Sequence, residues 1–314
     1  MRAAALSDDV IALSRRLPRT LRLGASSWAF PGWAGTVYER AAAPGALARE
    51  GLRAYARHPA LRAVGLDRTY YAPIDAAAFR ALADATPADF RFLVKAHEAC
   101  VSPRLRSSAS HGAPAANPLF LDACYAAEQV VAPCVEGLGD KLACLLFQFP
   151  PLRLAALGGA RRLLDRAQAF LRALPAGPTY AVELRNSELF QERQFAALRA
   201  TGVRHCYNVH PQAPPLERQM ELCPPGAGGL CLVRWMLRPT LDYESARERY
   251  EPFDALVDED PPTRRAIARL CLSATDGGAE TVVIANNKAE GCAPRTLLKL
   301  AEEIDALSGG AGGL

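Results

Sequence analysis

Eight short segments of the chain are apolar or alternating, are bounded by turn residues, and end in polar side chains. LRLGAS from Leu21 leads into Ser26, Ser27 and Trp28; LRAVGLD from Leu61 into Asp67, Arg68, Tyr70 and Tyr71; FRFLVKA from Phe90 into Lys95 and His97. LACLLFQF from Leu142 closes on Gln148, TYAVEL from Thr179 on Glu183 and then Arg185, and VRHCYNV from Val203 on Asn208 and His210. LCLVRW from Leu230 brings Arg234 and Trp235, and TVVIANN from Thr281 brings Asn286, Asn287 and Lys288. An apolar strand has no structural need for such endings, because each buried polar group costs several kcal/mol unless it is paired. If the segments are parallel strands, these groups converge into a site. The bland alternative is a polar rim that merely solvates the ends.

Glu183 lies inside an otherwise apolar strand whose alternation turns Val182 and Leu184 the opposite way. A carboxylate so placed has a perturbed proton affinity and is a candidate general acid, base or metal ligand; a buried pair with an arginine is the competing reading. Lys95 is informative because only four of the 37 basic residues are lysines: Lys95, Lys141, Lys288 and Lys299. A desolvated lysine can form a Schiff base or hold a phosphate or carboxylate, and an ion pair with Glu183 or Asp67 explains it equally well. Asp67 is a second candidate carboxylate or a turn cap, and Arg185 and Arg234 are candidates to clamp an anion bidentately. Trp28, Phe30, Trp33, Tyr70, Tyr71 and Trp235 offer rings for stacking, whereas Trp33 and Tyr38 are expected to pack the first loop onto the body. His205 reads as a core histidine. Metal is poorly supported, since too few His, Asp and Glu groups converge, no cofactor is assigned, and no G-x-S-x-G elbow is present.

Helical spacing separates these segments over 46–57, 75–85, 118–131, 160–174, 188–200, 216–222, 262–274 and 294–307. Asp75 and Ser187 are candidate caps, and Pro262 and Pro294 sit where a first helical turn tolerates a missing N–H. Eight strands alternating with about eight helices predict an α/β fold, a single (β/α)8 TIM barrel of eight parallel strands. The predicted organisation is an N-terminal extension over 1–19, the barrel over 20–307 and a flexible tail over 308–314. Long connections at 100–117 and 238–261 both follow strands and are expected on the C-terminal face.

The 314 residues are half apolar and 22% charged, with a net charge of +4. That excludes general disorder, and no apolar run reaches the roughly 20 residues of a membrane-spanning helix. Asp8 and Asp9 interrupt any secretory leader, and nine cysteines without a C-x-x-C pair read as free thiols, which together predict a cytoplasmic location.

GASSWAFPGWAGTVY from Gly24, TYYAP from Thr69, DFRFLVKA from Asp89, LLFQFPP ending at Pro151, YAVELRNSELF from Tyr180 and VVIANNKAEGCAP from Val282 together resemble the YecE-like domain of unknown function family. The resemblance spans about Leu21 to Ile304. It implies a TIM barrel similar in outline to sugar isomerases and apurinic endonucleases, with no established reaction. It also implies recurring polar positions at Trp28, Trp33, Tyr71, Lys95, Gln148, Glu183, Arg185, Arg234, Asn286 and Asn287. Three departures stand out: a family Glu and Asn are replaced by Gly65 and Asp67, a family His by Lys288, and an Arg-His-Gly run by Arg234-Trp235-Met236.

The expectation is therefore an enzyme of hydrolase, lyase or isomerase type, acting on a small polar, anionic or sugar-like substrate at the barrel's C-terminal face. Glu183, Lys95 and Asp67 would be catalytic; Trp28, Tyr71, Gln148, Arg185, Asn208, Arg234, Asn286 and Asn287 would bind substrate. A non-catalytic metabolite-binding barrel and a nucleic-acid-processing enzyme are the alternatives, the latter disfavoured by the near-neutral charge. A small-molecule ligand is the expected partner, with neither a membrane nor nucleic acid; oligomeric state is open.

Overall fold

Period-two alternation along each predicted strand sorts its residues into an inner and an outer set, and the structure uses both. In the computed structural model, which describes residues 1–104, 116–226 and 228–310, eight parallel strands close into a barrel in sequence order. They are β1 (Leu21–Ala25), β2 (Leu61–Leu66), β3 (Arg91–Lys95), β4 (Leu142–Gln148), β5 (Tyr180–Glu183), β6 (Arg204–Val209), β7 (Leu230–Trp235) and β8 (Glu280–Ala285). β8 pairs with β1 to close the ring. Small or slender residues point inward, including Ala63, Leu93, Cys144, Leu146, Ala181, Cys206, Leu232, Val282 and Ile284. Bulkier neighbours such as Phe92, Phe147, Val182, Tyr207 and Val233 point outward into the core shared with the helices.

The barrel's interior leaves no slack at β1. A Cβ on Gly24 would lie 2.1 Å from the Ala63 carbonyl oxygen, backbone that cannot rotate away, and the β1–β2 register shifts between Leu23 and Gly24. Gly24→Ala is therefore expected to cost about 2–3 kcal/mol through forced separation of the two strands. Urea denaturation checks this; an unchanged midpoint would remove the close-approach argument.

Helices occupy the predicted stretches with three differences. The segment over 46–57 is two helices, Pro44–Glu50 and Leu52–Tyr55, broken at Gly51. The 118–131 segment starts late, at Ala123–Ala126, widens into a π turn at Ala127–Val131 and continues as Ala132–Leu138. Pro133 supplies the reason, since it removes an N–H from the ladder and the helix accommodates the gap by a wider turn. Ser187 is not the cap of the fifth helix: it opens a 3₁₀ turn at Ser187–Leu189, and the helix begins later, at Glu192–Thr201. Asp75 does cap, accepting from the Ala78 N–H at 2.7 Å.

The N-terminal extension contains a helix, Asp8–Arg16, tied to the last helix by Arg16 and Asp305 at 2.8 Å. That last helix, Ala293–Gly310, includes residues 308–310, where a flexible tail was expected; residues 311–314 and the loop residues 105–115 lie outside the described residues. The other long connection, 238–261, forms a strap over the barrel mouth. It carries a helix, Tyr243–Tyr250, capped by Asp242. Its far end is tied to the loop after β8, where the Val257 N–H donates to the Glu290 carbonyl at 2.8 Å and the buried Glu290 carboxylate accepts from Asp260 N–H and Arg264. No helix among the described residues is long and apolar enough to cross a membrane.

Candidate functional site

A cavity of about 520 Å³ opens where the strands end, and each strand contributes a residue at or just beyond its C-terminus. In strand order these are Ser26, Asp67, Lys95, Gln148, Arg185, His210, Arg234 and Asn286. Parallel register explains the convergence: Gln148 aligns with Glu183 and Asn208 with Arg234, so inward positions of neighbouring strands share a layer. The strap roofs one side with Tyr243, Arg247, Glu251 and Phe253, and Lys288 lies below it.

Glu183 sits beneath the cavity, 0% exposed, and binds two guanidiniums. Arg185 donates to its Oε1 through Nε at 2.6 Å and Nη2 at 2.5 Å, and Arg234 Nη1 donates to Oε2. Arg234 Nη2 reaches both oxygens of Asp67, at 2.9 and 3.1 Å. The result is a chain from Arg185 through Glu183 and Arg234 to Asp67, linking β5, β7 and the end of β2. Burial alone would raise the Glu183 pKa, but the charges of Arg185 and Arg234 outweigh it and bring it down to about 2. Both carboxylate oxygens are engaged by guanidiniums, the arrangement of a buried carboxylate–arginine pair in which each buried guanidinium has its counter-charge.

Lys95 is different. Its ammonium lies 3.8 Å from the centroid of the Tyr70 ring, and among the described residues no carboxylate oxygen comes within 4.0 Å of it. Burial lowers its pKa to about 8, with Asp67 opposing and Arg234 assisting. His210 is pushed down to about 3 by burial and by the charge of Arg185. Its Nδ1 accepts from the Gln212 N–H at 3.2 Å, so the neutral ring carries its proton on Nε2.

Of the expected site residues, Asp67, Tyr71, Lys95, Gln148, Arg185, Arg234 and Asn286 line the cavity. Three expected binding residues do not; all three are buried away from it. Trp28 is buried and donates its indole N–H to the Leu47 carbonyl at 3.0 Å. Asn287 accepts from the Trp33 indole at 3.1 Å and from the Ala293 N–H at 2.8 Å, fixing the start of the last helix. Asn208 is buried, with only long contacts of 3.5 Å to the Leu184 and Cys206 carbonyls. Trp33 and Tyr38 are fully buried and pack the first loop, as expected. His205 is a core residue bonded to Gln219 at 3.1 Å. All nine cysteines are free.

Sequence reasoning passed over the strap residues Arg247, Glu251 and Phe253; the signals for them were the length and acidic character of the 238–261 connection and its Tyr243. Position 65, where the family glutamate is missing, faces inward: a Cβ there would lie 3.2 Å from both Ile284 Cγ2 and Ser26 Cα. Ile284 thus closes the space that a longer side chain would need. Among the described residues no cluster of three or more His, Cys, Asp or Glu is placed to hold a metal.

The chain is similar in fold to two solved DUF72 family proteins. One, from Enterococcus faecalis V583, is 18% identical with a TM-score of 0.59, covering 91% of this chain and 95% of that one. The other, from Thermotoga maritima MSB8, is 19% identical with a TM-score of 0.59, covering 91% and 99%. No curated protein matches the chain. The family described as "Protein of unknown function DUF72" matches over residues 22–310, nearly the whole barrel, and the chain belongs to that family.

Proposed function

We propose that the cavity is the active site of an enzyme acting on a small, anionic, sugar-like molecule, with Lys95 as its proton-transferring amine. One observation carries this reading: a half-buried lysine, in a chain with only four, faces the cavity with no carboxylate oxygen within 4.0 Å among the described residues, while the arginines beside it are neutralised. With a pKa near 8, Lys95 is mostly charged at neutral pH, where it attracts an anion, yet it holds a usable fraction of free amine. That behaviour suits isomerase or lyase chemistry, in which a proton is taken from carbon beside a carbonyl and returned, better than hydrolysis. Glu183 keeps Arg185 and Arg234 in place; Gln148, Asn286 and neutral His210 supply hydrogen bonds for hydroxyl groups; Tyr71, 62% exposed at the rim, offers a face for a sugar ring.

Thermal unfolding against a library of neutral sugars, sugar phosphates and sugar acids tests the reading. Ligand at about 100 times its Kd stabilises by about 2.7 kcal/mol, a shift of several degrees. Anionic members are expected to raise Tm for the parent chain and not for Lys95→Met. Hits confined to neutral sugars, or hits undiminished in Lys95→Met, would overturn it. Any hit is then followed by NMR for conversion; binding without turnover would favour the non-catalytic barrel.

A further inference from the structure

A second lysine lines the same cavity without a direct ion pair among the described residues. This residue, Lys288, is 7% exposed. Its ammonium lies 4.0 Å from the centroid of the Tyr243 ring and 5.5 Å from that of Phe253. Among the described residues no carboxylate oxygen approaches it within 4.0 Å. A ring face attracts a cation without neutralising it or using up its N–H donors, so the group remains open to an anion on the cavity side. Burial holds its pKa below the ordinary value, with the nearby Arg247 charge acting the same way and Glu244 and Glu251 opposing. An anion bound there would relieve both effects.

The two lysines enter the cavity from different parts of its rim. Lys95 ends β3 and Lys288 lies in the loop after β8, and the strand order β3-β2-β1-β8 sets three strand intervals of about 4.8 Å each between the ends of those strands along the ring. We infer that the ligand of this cavity carries two separate anionic groups, one held at Lys95 and the other at Lys288 beneath Tyr243. The wall between them supplies Asn286, bonded to Ser26 Oγ at 2.8 Å, and the Phe30 ring, which suits a short hydroxylated spacer. The ligand class is thus a small sugar bisphosphate or a phosphorylated sugar acid. The Lys288 subsite is built in advance: the Lys288 carbonyl accepts from the Arg238 N–H at 3.0 Å at the root of the strap, and the Lys288 N–H donates to Asn286 Oδ1 at 3.0 Å.

This inference rests on the reading that the cavity takes an anion, and the test separates the two. α,ω-Alkanediol bisphosphates of graded length and the matching alkyl monophosphates are titrated calorimetrically into the full chain. One bisphosphate length is expected to bind at least about tenfold tighter than its monophosphate, as linked groups do when their spacing fits both sites. Lys288→Met and Lys288→Gln should erase that advantage and leave the monophosphate bound, while Lys95→Met weakens both probes. Two variants are used so that a folding defect in one does not stand in for lost binding. A monophosphate bound at Lys95 with no bisphosphate advantage at any length, or an advantage that survives both Lys288 variants, overturns the two-anion ligand and leaves the anion site standing. Failure of the parent chain to bind either probe overturns both.

Discussion

Arg234→Met is expected to melt roughly 10 °C below the parent chain, from a loss of about 3–5 kcal/mol. The guanidinium is 1% exposed and joins Glu183, itself fully buried, to Asp67. Removing it leaves the Glu183 carboxylate in the barrel interior with Arg185 alone and Asp67 without an ion-pair partner among the described residues, and breaking a buried pair on one side costs far more than the pair contributed. The double variant Arg234→Met/Asp67→Asn should recover part of the loss, since the second change removes the carboxylate left without its partner. Chemical denaturation of the set measures the coupling. A single variant within 1 kcal/mol of the parent, or a double variant less stable than the single, would show that the network holds nothing together.

The same network fixes an acid limb. The folded pKa of Glu183, about 2, lies below its ordinary 4.5, so this group's stabilisation is present above about 4.5 and is lost as pH falls from there through 2. Glu183→Gln should flatten stability over that window.

Lys95→Met should have the opposite sign on stability while disabling the site. The folded pKa of Lys95, about 8, lies below its ordinary 10.5 because burial disfavours the charged form. Its destabilising contribution is therefore fully present below pH 8, fades as pH rises from 8 towards 10.5, and is gone above. The variant removes that penalty and forfeits the contact with the Tyr70 ring, for a net gain of about 1 kcal/mol, or 2–4 °C, at pH 7. Anion affinity should drop at least about tenfold at pH 7, and the decline of the parent chain's affinity above pH 8 should be missing from the variant. A variant that is destabilised and still binds would mean that Lys95 serves the fold.

Much of this architecture is legible in the residues themselves. The strands begin within one residue of their turn signals, because an inward-outward alternation two residues long tolerates no slippage once both faces are buried. The same rule brings Lys95, Gln148, Arg234 and Asn286 together. It fails for Trp28, Asn208 and Asn287, which have suitable types at suitable positions. What decides their fate is a partner distant in sequence, such as the Leu47 carbonyl for Trp28 or Trp33 for Asn287. The strap was illegible for a related reason. Its path depends on close backbone approaches, with a Cβ on Gly32 falling 2.1 Å from the Pro252 carbonyl oxygen and one on Gly291 falling 2.4 Å from that of Ala255, and no local pattern announces such contacts. Glu183 was legible in place, with the arginine pair among its readings, but which arginines it meets was not, because Arg234 lies on another strand and the alternation of one strand says nothing of it.

The environments of the four lysines make the chain unusually suited to amine-directed chemistry. Acylating reagents attack the free base, and the four lysine amines sit in different surroundings. Lys299 is exposed and ion-paired to Glu302, Lys141 is held by the Ala83 and Thr86 carbonyls, and Lys288 is enclosed beneath the strap. Lys95 faces the cavity with its base form already abundant at pH 8. Limiting N-hydroxysuccinimide acetate at that pH should acylate it first, and peptide mass spectrometry would turn its protection into a direct reading of cavity occupancy, before any substrate has a name.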